Sequence, residues 1–222
     1  MDRDTVVFQW SGDSLVLLVN TDGNERGTRD PLVWSDADGL SCKRFGYKEG
    51  RVVFLFNSHE HSIDPDLLPS FLKCKKTPRR FVEDFPQKEV ENFGPNLKLL
   101  VADVNTESLV YVSKQSGDEK KLRVDDVDHG VHTISVSGFD IINIKDTILR
   151  GNFNRMIAGH AELPPIQKIV EDLMRKPPFF IGSVDSDGAR RTVRIFGMDI
   201  EANRLPARFY ESHLNDKGEW ES

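Results

Sequence analysis

At 222 residues, with 30 Lys and Arg against 36 Asp and Glu, the chain carries a net charge of −6, and 38% of its residues are apolar. That balance describes a soluble globular protein, long enough to bury a sizeable core as one large domain or two small ones. It argues against a non-specific nucleic-acid binder, whose signature is a long basic block; the densest basic stretch, Lys73 to Arg80, is short.

The longest apolar runs span about five or six residues against the ~20 needed to cross a bilayer, so no transmembrane segment is expected. The opening Met-Asp-Arg-Asp has neither the apolar core of a secretory signal nor the acid-poor composition of a mitochondrial presequence. Cys42 and Cys74, the two cysteines, are far apart and form no C-x-x-C or zinc spacing. Reduced thiols in a cytoplasmic protein are the expectation.

In chain order, Thr5 to Trp10 is β-branched and aromatic, residues 11–14 form a Gly-containing turn, and Leu15 to Val19 is an unbroken apolar run. Together they predict a hairpin. The run stops at Asn20, and a polar loop leads to Pro31 and Trp34, which places Asn20 and Asp22 at the rim end of a buried strand. Residues 35–39 read as a turn, Leu40 to Tyr47 as one strand, residues 48–50 as a tight turn and Arg51 to Phe56 as a strong strand. This set predicts one antiparallel meander, covered on both faces because the 15–19 and 52–56 runs are almost continuously apolar.

Helices are predicted over Asp66 to Cys74 and from Thr77, an N-cap with Pro78 at the first helical position, as far as Pro86. A second β-unit follows, Asn96 to Asp103 and Ser108 to Ser113 around a turn at 105–107. Residues 115–120 and the carboxylates Asp125, Asp126 and Asp128 read as exposed turns, with short strands at Leu122 to Val124 and Gly130 to Val136. A helix is predicted within Lys145 to Ala158. Another runs from Pro164 to Lys176, where Ile166, Ile169, Val170 and Leu173 recur at helical spacing and Pro177 and Pro178 end it. Strands at Thr192 to Met198 and Ala207 to His213 close the chain. The order predicts an α+β fold in a single domain over residues 1–222, with helices outside its sheets.

Familiar catalytic motifs are absent: no G-x-G-x-x-G, no Walker A, no H-E-x-x-H and no G-x-S-x-G. His59 and His61 would share one face of a strand, yet no third metal ligand is identifiable, and no metal site is expected. Arg190, with Arg191 after Gly188, is placed either to hold an anion or to lie in a surface turn.

Several blocks nevertheless line up with a family pattern. Residues 6–10 and 17–20 match its first two strands, with Asn20 and Asp22 at the first and third positions of an Asn-Arg-Asp-Glu motif and Trp34 at its downstream Trp. The run Gly50 to Asn57 is similar to the family's Gly-Arg-(Leu/Val)-Ala-x-Leu-Thr-Asn, and Lys76 to Phe81 to its Lys-Ser-Pro-x-x-Phe helix start. Asn96 to Asp103, Gly130 to Ser135 (Gly-x-His-x-Leu-Ser in the family) and Phe209 to Leu214 (Phe-Tyr-Glu-Arg-His-Leu) complete the set. The chain thus resembles the NRDE-motif family, that of the transport and Golgi organisation 2 protein, over nearly its whole length.

The resemblance implies an N-terminal nucleophile hydrolase-like fold, an αββα sandwich of two mainly antiparallel sheets between helical layers. In that fold an N-terminal Cys attacks an amide carbonyl. Here the Cys position falls on Asp4, or on Asp2 counted from the terminus, and a carboxylate is a poor nucleophile for amides. The motif Arg is Thr21 and its Glu is Gly23, leaving Asn20, Asp22 and, from a late Gly-Thr-Arg pattern, Arg190 as vestiges of the site. No catalytic residue is assigned, and the chain is expected not to be an enzyme.

What the family implies instead is intracellular haem trafficking, with haem or another small apolar ligand carried transiently and passed to haem-acceptor proteins. The implied place is the cytoplasm, in association with mitochondria or the Golgi. Haem needs an apolar slot and one or two axial donors; His132 and His213, both inside family-like blocks, come first, followed by Cys42, His59, His61 and Cys74. As a residue of an alternating strand, His132 also reads as a half-buried, hydrogen-bonded side chain. The alternatives are an amide or thioester hydrolase with Cys42 or Cys74 as nucleophile, and a Golgi or secretory-pathway organisation factor.

Overall fold

The computed structural model describes residues 5–23, 33–35, 39–42, 44–56, 66–93, 97–114, 121–135, 137–158, 160, 162–175, 191–202, 204–215 and 219–222. The first strands are β1 (Thr5–Trp10), β2 (Ser14–Gly23), β3 (Val33–Ser35), β4 (Gly39–Cys42), β5 (Phe45–Lys48) and β6 (Arg51–Phe56). Helices α1 (Leu67–Lys73), α2 (Pro78–Glu83) and α3 (Gln87–Asn92) follow, then β7 (Leu97–Asp103), β8 (Ser108–Lys114), β9 (Arg123–Asp126), β10 (Gly130–Ser135) and β11 (Gly138–Phe139). The remainder is α4 (Ile144–Ile157), α5 (Ile166–Met174), β12 (Arg191–Glu201), β13 (Arg204–Leu214) and β14 (Trp220–Glu221). The chain divides into two units: residues 1–28, 129–200 and 206–222, and residues 29–128 with 201–205.

The second unit holds one seven-stranded sheet whose strands lie side by side in chain order, β3 to β9, each antiparallel to the next. The stretch predicted as a single strand from Leu40 to Tyr47 is two: Cys42 pairs with Phe45, and the chain reverses between them. No Gly, Pro or Asn marks that reversal; just after it the Leu55 N–H bonds to the Arg44 carbonyl at 2.7 Å, extending the β5–β6 pairing. The tight turn expected at 48–50 is present between Lys48 and Arg51, which pair across it. Glu49 and Gly50 both take positive φ, 47° and 84°, the geometry of a two-residue hairpin. Asn105 donates to the Glu49 carbonyl at 2.7 Å, and a Cβ on Gly50 would stand 2.5 Å from that same amide nitrogen.

Helices α1 to α3 cover one face of this sheet. Val53, Leu55, Leu97, Leu99, Val101, Val110 and Val112 form a core with Phe71, Phe81, Phe85 and Phe93. Thr77 caps α2 and Pro78 occupies its first turn, as expected. Pro86 ends that helix only to stand as N-cap of α3, a helix the sequence reading omitted. Arg51 ties sheet to helices: it pairs with Asp103 at 2.6 Å, donates to the carbonyls of Phe71 and Lys76 at 3.1 and 2.7 Å, and lies 4.0 Å above the Phe71 ring. Asp125 and Asp126, expected in a turn, belong to β9, where Asp126 pairs with Arg79 at 2.9 Å. The expected turn at 115–120 lies outside the described residues.

In the first unit the order is β11-β10-β1-β2-β12-β13-β14. The β1–β2 hairpin is as predicted, with Phe8 opposite Leu17. The predicted single meander is not: β1 and β2 take β10 and β12 as neighbours while β3 to β6 build the other sheet. Neighbours in sequence need not be neighbours in a sheet, and the late strands fill both edges of the hairpin. Helices α4 and α5 bury Leu149, Phe153, Ile157, Ile169, Val170 and Leu173 against Val7, Val16, Leu18 and Ile195. Gly197 lets α5 approach closely, since a Cβ there would stand 2.4 Å from Val170 Cγ2. Two mainly antiparallel sheets, each with helices against one face, make the protein α+β.

Candidate functional site

The best-organised polar cluster of the first unit is centred on His132. It lies on β10 opposite Phe8 of β1, while the next pair, Thr133 and Val7, falls on the other face. Since Val7 packs with α4 and α5, strand alternation puts His132 and Phe8 on the face away from those helices. There the imidazole stacks on Phe139 at 5.3 Å between centroids and lies 5.2 Å from the ring of Phe8. Its side chain is only 12% exposed.

Asp140 determines which proton this histidine carries. It follows β11 directly and adopts a left-handed φ of 52°, a conformation in which Asp is one of the few tolerated residues. Its backbone N–H donates to the Thr133 carbonyl at 2.9 Å, and its Oδ1 accepts the Thr133 N–H at 2.8 Å. Oδ2 lies 2.7 Å from His132 Nδ1. From α4, Arg150 donates to Oδ1 of Asp140 and, at 3.3 Å, to the Thr133 hydroxyl. Burial works to raise the Asp140 pKa, but the hydrogen bonds from His132 and Thr133 and the positive charges of His132 and Arg150 outweigh it and hold the carboxyl below its ordinary value.

A carboxylate on Nδ1 makes that nitrogen a proton donor, and in a neutral ring the lone pair then falls on Nε2. Gly130, at φ 146°, lies beside that edge of the ring, where a Cβ would come 3.6 Å from Nε2. A neutral imidazole so oriented has the chemistry of a metal or haem ligand, or of a general base. The neighbouring Ser135, Asn143 and Asp146 serve the fold. Asn143 caps α4 by accepting the Asp146 N–H at 2.8 Å, and the buried Asp146 carboxylate accepts the Ser135 hydroxyl at 2.9 Å.

The other predicted site residues do not gather here. His213 is on β13, four strand spacings from β10, or about 19 Å across the sheet at ~4.8 Å per spacing. It is 41% exposed and lies 3.3 Å from Glu221. His132 and His213 therefore cannot ligate the two faces of one haem. Asn20 is buried within β2, which runs on to Gly23 where a loop was expected, and lies opposite Thr5, three residues or about 10 Å along β1 from the partner of His132. Asp22 lies on β2 and Cys42 on β4, their side chains outside what is described; His59, His61 and Arg190 are outside the described residues altogether. The Cys74 thiol belongs to the second unit, donates to the Phe71 carbonyl at 3.4 Å and receives Arg51 Nη2 at 3.8 Å.

Sequence reasoning missed Asp140 and Arg150. Asp140 stands eight residues beyond His132, and only a hairpin through Gly138 brings it back; a Gly two residues before an Asp was the one available signal. In the second unit it also missed Lys98, 6% exposed on the face of β7 away from the helices and 5.5 Å from the Phe56 ring. Burial pushes that ammonium down to about 8. On the next strand burial, aided by Asp125, pushes the Tyr111 phenol up. Among the described residues no group of three or more His, Cys, Asp or Glu is placed to hold a metal ion, and no helix is long and apolar enough to cross a membrane. Neither a protein-family model nor a curated protein matches the chain.

Proposed function

We propose that the chain is a non-catalytic, N-terminal nucleophile hydrolase-like protein that carries haem, or a comparably flat apolar ligand, in intracellular haem trafficking, with His132 as its donor. The observation that supports this reading is the 2.7 Å pairing of His132 Nδ1 with Asp140, which orients the imidazole in a cluster with the rings of Phe8 and Phe139. The αββα sandwich is the fold that goes with it, and each unit separately has the required sheet with helices on one face. The non-catalytic part rests on Asp4, which stands just before the first strand where the family has its Cys nucleophile. Ligation of a single face suits a transient cargo, because one axial bond leaves the other side of the iron to an acceptor protein.

Haemin titration with absorption spectroscopy tests the reading. Wild type and His213→Ala should give a saturable one-to-one Soret shift, and His132→Ala should lose it. A Soret shift unaffected by His132→Ala, or a non-saturating response in wild type, would refute His132 as the donor.

A further inference from the structure

One surface of the first unit breaks the rule that large apolar side chains are covered. Between β11 and the second turn of α4, Ile141, Ile142, Ile144 and Ile148 are 44, 95, 82 and 40% exposed. Within α4 the buried residues Leu149, Phe153 and Ile157 define the inward face. Ile144, Ile148 and Arg155 recur at helical spacing on the opposite side, where Gly151 continues the stripe with nothing within 4 Å of a Cβ.

The charges around the stripe are arranged by sign. Over residues 138–158 the acids are Asp140, engaged by His132, Thr133 and Arg150, and Asp146, 3% exposed and turned to Ser135 and Asn143. The basic side chains are the part-buried Lys145 and Arg150 and the exposed Arg155, whose side chain reaches back to Asn152 and the Gly151 carbonyl. A chain of net charge −6 thus presents isoleucines at the start of a helix face that ends in a cation, Arg155, roughly 10 Å along the axis from Ile148.

The four side chains offer on the order of 400 Å² of apolar surface, within the range of the largest, often functional, patch on a monomer but only about half the ~800 Å² per partner of a stable dimer. Strand β11, at the sheet edge beside it, has two residues and offers little backbone for pairing with a second copy. Projecting isoleucines next to cationic charge fit a surface whose outer layer is anionic and whose interior is apolar. We infer that Ile141, Ile142, Ile144 and Ile148 form a peripheral membrane-docking tip, inserted at the headgroup boundary of an anionic bilayer with Arg155 against its phosphates.

Co-sedimentation of the full chain with vesicles of phosphatidylcholine alone, and with about 30% phosphatidylserine, tests this. Wild type should pellet with the anionic vesicles, more weakly at high salt, and Ile142→Ser/Ile144→Ser should lose at least about tenfold in partitioning, given what burying each isoleucine contributes. Both positions are exposed, so the double variant should keep its melting temperature, and Arg155→Glu should weaken binding several-fold. Wild type remaining in the supernatant, or a double variant that pellets as well as wild type, would overturn the inference. So would wild type dimerising in sedimentation equilibrium through a contact that the double variant abolishes, since the patch would then belong to a second copy of the chain.

Discussion

His132 and Asp140 meet at 2.7 Å because the chain turns back through Gly138 and Phe139 and leaves Asp140 in the left-handed region, with both carboxylate oxygens aimed at β10. The pair therefore links titration to stability. Its carboxyl is held below the ordinary carboxylate range when folded, so its stabilisation is present above the unfolded pKa of about 3.9 and lost as pH falls through the lower folded value. Asp140→Asn, which tolerates the same backbone, should cost about 1–3 kcal/mol near neutrality, and the gap from wild type should narrow below about pH 4. Urea melts at several pH values measure this, and a constant gap would show that the charge contributes nothing.

Arg51 should prove irreplaceable in the second unit. Its guanidinium satisfies Asp103, two carbonyls and the face of Phe71 together. Arg51→Ala leaves a nearly buried carboxylate unpaired and should destabilise by about 3–5 kcal/mol. Arg51→Lys should recover little, because an ammonium is a point charge without the planar fork. Guanidinium denaturation of the three proteins provides the comparison.

Lys98 and Tyr111 should bend the alkaline limb of the stability profile in opposite directions. Lys98 loses its proton near 8 when folded but near 10.4 when unfolded, so the unfolded chain binds the extra proton and stability rises with pH between those values. Tyr111 keeps its proton longer when folded, so its effect is to lower stability above about pH 10. Lys98→Met should flatten the rise and Tyr111→Phe should remove the fall. Thermal melts at half-unit pH steps from 7 to 11 distinguish the two.

Gly197→Ala should cost about 1–3 kcal/mol by overpacking, since the added methyl would press on Val170 at 2.4 Å and on Ile166 and Leu18 at 2.9 Å. Gly151→Ala, with open space around it on α4, should stabilise by up to about 1 kcal/mol. Opposite signs in the two melting temperatures are the expected result.

Wherever burial was local and periodic, the elements were legible in the amino-acid order. Leu15 to Val19 declared a covered strand, Ile166 to Leu173 an amphipathic helix, and Thr77-Pro78 a helix start. Sheet membership was not legible, because nothing in β2 says that its free edge waits for β12. The hairpin at Cys42 to Phe45 was hidden because no Gly, Pro or Asn marks the reversal. Of the site, His132 was visible as a strand histidine, but its role depends on Asp140 and Arg150, which only the tertiary fold brings to it.

The position of β12 next to β2 has a consequence for synthesis on the ribosome. Residues 29–128 can pair strand with strand as they emerge, but the β1–β2 hairpin cannot be completed until residues 191–214 leave the exit tunnel. Meanwhile Leu15 to Val19, at most 1% exposed in the finished protein, must wait with an unpaired, wholly apolar edge. A nascent chain so long in this state is a natural client for a holding chaperone, and a premature stop before residue 191 would leave that edge open for good.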